Sequence, residues 1–234
     1  MSDDLDSNRT DRLVAITKGA TGLIPYVGGL LGELIGTVIP GQRQDRIVDY
    51  LRGLESRIDE MEQADATAAL KHPEKIDLIE AGGYQAARAT NEERIAQIIN
   101  VVAQGLSSDE ANIVRRKRLL GLLGELDDDE IAVLTAYGKS YGGGRDSNPW
   151  EAVNRPPPAH LNAGRLVIEE NKLFELGRER LLRLNLLERR YSNVKKGEYP
   201  EFDPKSGGFK GNVQISYLGR MLLREMGIEL PFKD

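Results

Sequence analysis

The sequence predicts a mainly α protein, a helical-bundle body followed by a small α+β unit, and three observations carry that expectation. Apolar residues recur at spacings of three and four through most of residues 10–137, the period of helices that bury one face. Residues 138–164 then break the pattern with Gly142-Gly143-Gly144 and Pro156-Pro157-Pro158, the composition of a connecting loop. Beyond them the helical period returns once, before two short strand-like runs that flank a Gly/Pro-rich loop. At 234 residues and 40% hydrophobic content, the chain can bury one large core or two small ones.

Residues 1–10 read as a disordered start. The run MSDDLDSNRTDR is acidic and polar, the reverse of a secretory leader, and no lipidation pattern accompanies it, so a cytoplasmic protein is expected. Thr10-Asp11 offers an N-cap to a short segment with Leu13, Val14 and Ile16. Residues 19–40 then hold Glu33 as their only charge. Pro25 and Pro40 bound the apolar helix expected over 26–39, which at about 1.5 Å per residue reaches about 21 Å. A hydrocarbon core is about 30 Å thick. Gly28, Gly32 and Gly36 fall on one face of this helix, where small residues let a second helix come close. A buried central helix leads; a membrane-active segment that makes the protein peripheral to a bilayer, or an oligomer interface, stands beside it.

The run from Gln42 to Gln63 places Ile47, Tyr50, Leu51, Leu54, Ile58 and Met61 on one helix face and mixed charges on the other. His72-Pro73 marks a break. The following helix carries Ile76, Leu78, Ile79 and Tyr84 and is expected to be disturbed at Gly82-Gly83. Thr90 with Glu93 three residues on suggests a capping box, leading into a stripe of Ile95, Ile98, Ile99, Val102 and Leu106. Residues 107–110 cap a further helix, and Asp127 caps the next, which Gly138 should end. The tetrad Arg115–Arg118 cannot share one helix face, since successive residues turn by about 100°. The cluster Asp127–Glu130 sits where a helix dipole favours acids and lacks the ligand spacing of a calcium loop.

In the loop over 138–164, Trp150 is the expected anchor. The helical period resumes at 165 and runs to about Glu188, with Leu166, Ile168, Leu173, Leu176, Leu181, Leu184 and Leu187. ERRYSNV and NVQISY are the strand candidates, and LGRMLLREMG closes the unit. Helix, strand, long loop, strand and helix is the order of a winged-helix domain, and LLRLNLLERR with VQISYLGRMLL resembles that superfamily. Residues 165–234 hold 14 basic and 11 acidic side chains, against 18 and 26 in residues 1–164. A DNA-binding unit of this kind would use Arg178, Arg180 and Arg183 in a groove, and Lys195, Lys196, Lys205 and Lys210 on phosphates. The interspersed Glu175, Glu179 and Glu188 favour protein contact instead.

Composition removes much chemistry. With no cysteine and only His72 and His160, thiolate chemistry is excluded and little remains for a metal site or a histidine relay. No nucleotide loop, nucleophile elbow or zinc-protease motif is present. No catalytic, cofactor-binding or metal-ligating residue is therefore expected.

Taken in order, GLIPYVGGLLGELIGTVIP, NEERIAQIINVVA, RLLGLLGELDDDEIAVL and LRLNLLERR with VQISYLGRMLL resemble bacterial abortive-infection proteins of the alpha type. The resemblance spans most of the chain and lies in helix texture. It implies a bacterial, non-enzymatic protein of phage defence or growth arrest, working through a protein partner or a second copy. The alternative is a winged-helix transcriptional regulator.

Overall fold

The computed structural model describes residues 41–61, 63–107, 110–140, 148–160, 162–191, 194–195, 197–204 and 208–231. The glycine-rich helix expected over 26–39, with Gly28, Gly32 and Gly36, lies outside them, as do Lys196 and Lys205. Among the described residues the protein is mainly helical, with a small antiparallel β element near the C-terminus. The chain divides into two compact units, Met1–Gly124 with Glu225–Gly227 and Glu125–Arg224 with Ile228–Asp234.

The first unit contains α1 (Gly41–Asp59), α2 (Gln63–Lys71), α3 (Pro73–Ala86), α4 (Glu92–Leu106) and most of α5 (Glu110–Glu125). α1 buries Ile47, Tyr50, Leu51, Leu54 and Ile58, the face expected from their spacing. The Tyr50 hydroxyl donates to the Ile79 carbonyl at 2.9 Å, and complete burial pushes its phenol pKa far up, so it stays a neutral donor. A Cβ at Gly82 would run into that hydroxyl and come within 2.9 Å of Val102. The expected disturbance at Gly82-Gly83 is therefore absent: α3 continues to Ala86 with both glycines buried, because lacking a side chain is what admits Tyr50.

α4 starts one residue later than the Thr90 capping box implies. Asn91 is the N-cap, in extended conformation, and its Oδ1 accepts from the Arg94 amide at 2.8 Å. Asparagine caps at least as well as threonine. The basic tetrad of α5 splits as helix geometry requires. Arg116 pairs with Glu225, each 12% exposed, and Lys117 pairs with Asp77 at 2.6 Å. The Asn100 amide donates to the Met226 carbonyl at 2.9 Å, which accounts for residues 225–227 belonging to this unit.

The second unit contains α6 (Asp128–Ser140), α7 (Arg165–Arg183), strands β1 (Leu187–Arg190), β2 (Phe202–Asp203), β3 (Gly208–Phe209) and β4 (Asn212–Ile215), and α8 (Tyr217–Glu225) up to Arg224. α6 thus joins the C-terminal unit rather than the body to which its sequence position assigned it. Asp127 and Glu130 cap it reciprocally, at 2.8 and 3.1 Å. It does not end at Gly138. A Cβ there would lie 2.7 Å from Leu223 and 2.9 Å from Leu230, so this glycine serves close packing. Trp150 packs edge-on against Tyr137 with centroids 5.0 Å apart, the expected anchor of its segment.

α7 ends at Arg183, five residues before the expected limit. Asn185 takes a left-handed conformation (φ 55°), the Leu186 amide donates to Leu181 at 2.9 Å and the Asn185 amide to Leu182 at 3.1 Å, a complete Schellman stop. That stop frees Leu187–Arg190 to pair antiparallel with Asn212–Ile215, Leu187 opposite Ile215. Inside the intervening loop β2 pairs with β3, Phe202 opposite Phe209. Ser216 accepts from the Gly219 amide at 3.0 Å, capping α8.

Gly82→Ala is expected to cost about 1–3 kcal/mol by overpacking, read as a lower urea midpoint at unchanged slope. Tyr50→Phe in that background should recover part of the loss, because the hydroxyl is the nearest obstacle. No recovery would place the strain elsewhere.

Candidate interaction surface

α7 has one face turned into its unit and one turned away. Leu181 is fully buried, and Gly177 stands where a Cβ would meet Glu130 Cγ at 3.4 Å. Toward the N-terminal half of the helix Leu166, Leu173 and Leu176 are 74%, 68% and 56% exposed. Leu166 and Leu173 are two turns apart and Leu176 follows by three, so the three form one outward stripe. The sequence placed these leucines in one helical period. The structure buries Leu181 and Leu187 and leaves this stripe open. Apolar side chains grouped on an exposed face mark an interaction site more often than scattered ones do.

The arginines expected in a DNA groove are placed differently from one another. Arg180 donates from Nη1 to Glu130 Oε2 at 3.3 Å and from Nη2 to the Glu125 carbonyl. Arg178 is half-buried, with Nε buried and without a hydrogen-bond partner among the described residues. Arg183 is exposed. Of the lysines, Lys195 is exposed, and Lys210 lies 2.5 Å from Glu201, which with its hydrogen bond and charge raises the lysine pKa. Arg189 pairs with Glu179 at 2.6 Å and Arg190 with Glu188 at 3.4 Å. Among the described residues these cations are therefore not gathered into one open anionic-ligand surface. Several of them face carboxylates, each of which would repel a phosphate.

Sequence reasoning missed the aromatic cluster on the β element. Tyr191, Phe209 and Phe202 stack edge-on in series, centroids 6.3 and 6.0 Å apart, and all three rings are partly exposed. Their separation along the chain hid them; only strand register joins them.

Among the described residues, two clefts are shallow. One of about 260 Å³ lies between the proline segment and α7, lined by Arg155, Pro156, Ile168, Asn171 and Glu175. The other, about 320 Å³, is lined by Arg57, Met61, Asn100, Gln104 and Ser107. Neither lining contains a histidine, cysteine or tyrosine to pair with a carboxylate. Among the described residues no group of three or more acidic or histidine side chains could hold a metal ion, and no helix is long and apolar enough to cross a membrane.

No protein-family model matches the chain, and no curated protein or solved structure matches it.

Glu130 is the one carboxylate here that is almost wholly buried, 4% exposed. Burial raises its pKa above the ordinary 4.5, with the Asp127 charge adding to the rise, while the Asp127 hydrogen bond and Arg180 oppose it. The folded protein thus holds this proton more tightly than the unfolded chain. Its contribution to stability falls as pH climbs from 4.5 through the raised value. In Glu130→Gln that part of the pH dependence should vanish, measured as Tm between pH 4 and 7. An unchanged profile would remove Glu130 as its source.

Proposed function

We propose that this chain is a non-enzymatic interaction protein of bacterial phage defence, with a winged-helix-like C-terminal unit that binds protein through the leucine face of α7. The observation that carries the binding mode is the stripe Leu166, Leu173 and Leu176, each more than half exposed. Beside it, Arg180 is already committed to Glu130. Support for a role in defence comes from the resemblance to abortive-infection proteins in helix texture. The winged-helix reading draws its support from the order α7, β1, loop, β4, α8.

The test is plating efficiency of a phage panel on bacteria expressing the protein. Cells with the wild-type chain should be protected. Leu173→Glu, which changes only an exposed side chain, should lose protection at least tenfold while its thermal unfolding stays near wild type. Protection retained in full by Leu173→Glu contradicts the docking face.

A DNA-binding reading draws on the basic excess of residues 165–234 and on exposed Arg183 and Lys195. It demands a mobility shift that weakens steeply with salt and is reduced by Arg183→Glu. On the protein-contact reading, no shift occurs at low salt.

A further inference from the structure

We propose that the occupant of the α7 leucine face is the same face of a second copy, packed antiparallel about a two-fold axis between Leu173 and Leu176; this rests on reading that face as a docking surface. The argument is one of charge register. α7 runs 19 residues, about 28 Å. Leu166, Glu169, Leu173, Leu176, Arg180 and Arg183 follow the alternating three- and four-residue spacing of a two-helix seam. Five of the six are exposed, and Arg180, half-exposed, reaches from the edge of this face to Glu130.

In an antiparallel pair centred between Leu173 and Leu176, each Leu173 meets the partner's Leu176. One layer further out, Glu169 meets the exposed edge of the partner's Arg180, whose Nη1 and Nη2 stay on Glu130 and the Glu125 carbonyl, and beyond that Leu166 lies on the aliphatic stem of the partner's Arg183. Flanking the seam, Lys172 faces the partner's Glu179. By two-fold symmetry each of these contacts occurs twice, so four opposite-charge contacts frame a leucine centre. The parallel arrangement is the contrary case. It sets Glu169 on the partner's Glu169 and Arg180 on the partner's Arg180, like charges at both ends of the seam. Charge thus selects both the self-pairing and its direction.

The ion pairs that these side chains make within one chain do not stand in the way. Lys172 with Glu175, Arg165 with Glu169 and Arg189 with Glu179 are exposed surface pairs, individually weak and readily exchanged. A seam of one helix per copy is smaller than the interfaces of tight dimers. The assembly is therefore a concentration-dependent dimer.

Sedimentation equilibrium of the full chain from about 1 to about 300 µM tests it. The wild-type mass should climb from 25.9 kDa toward twice that value, and Leu173→Glu should stay at the lower mass throughout. Lys172→Glu sets glutamate against the partner's Glu179, and Glu179→Lys sets lysine against the partner's Lys172. Each alone should weaken association about tenfold, given two exposed pairs turned from attraction to repulsion. An equimolar mixture of the two variants restores both pairs and should associate at least as well as wild type. Thermal unfolding checks that each variant is folded. A wild-type chain that stays at 25.9 kDa overturns the proposal, as does a mixture no better than its components. If the wild type is monomeric and Leu173→Glu nonetheless loses phage protection, the docking face stands and only its assignment to a second copy falls.

Discussion

The orientation of α7 depends on a carboxylate that is 4% exposed, Glu130, and on what surrounds it. Its own backbone amide is capped by Asp127, its side chain caps Asp127 in return, and Arg180 reaches it from α7. Gly177 on the same helix leaves room for its methylene. Burying an acid is costly unless it is hydrogen-bonded and paired, so these partners form a set. The set has a direction: it holds the Gly177–Leu181 side of α7 inward, with Arg180 reaching in from the edge of the leucine face, and rotation of a helix is common to all its residues. Leu176 is left outward as a consequence, and Leu166 and Leu173 are exposed toward the N-terminal end of the helix. The surface proposed for binding is thus bounded by an interaction at its own edge.

The same set explains why basic residues on α7 do not add up to a phosphate site. An arginine that neutralises a buried acid cannot leave it without exposing the cost of that burial. On the β element Arg189, Arg190 and Lys210 face Glu179, Glu188 and Glu201. Among the described residues, Arg180, Arg189, Arg190 and Lys210 are each compensated locally by a carboxylate.

How legible all this was in the sequence varied with the kind of signal. The buried faces of α1 and α4 followed from spacing alone, because apolar residues at three and four leave one solution for where they point. α2 was missed: QADATAALK is alanine-rich with little periodicity, and Ala69 is the buried hydrophobic residue among those of it that are described. Glycine misled at Gly82-Gly83 and Gly138, where it admits a neighbour instead of breaking a helix, a role set by residues dozens of positions away. Asn185 carried a local signal for the end of α7, since asparagine tolerates the left-handed region, but the leucines around it masked it. The leucine stripe itself could not be told from a core stripe, since periodicity gives a face and never says which side of the helix is covered.

Because the chain contains no cysteine, single-cysteine labelling along α7 reads the orientation and the docking claim together. In dilute protein, Leu166→Cys, Leu173→Cys and Leu176→Cys should react rapidly with a maleimide and Leu181→Cys slowly. On concentrating the protein, the rates at positions 173 and 176 should fall while that of an exposed cysteine placed at Lys195 does not. Rapid labelling at 181, or rates at 173 and 176 that do not change with concentration, would contradict the account.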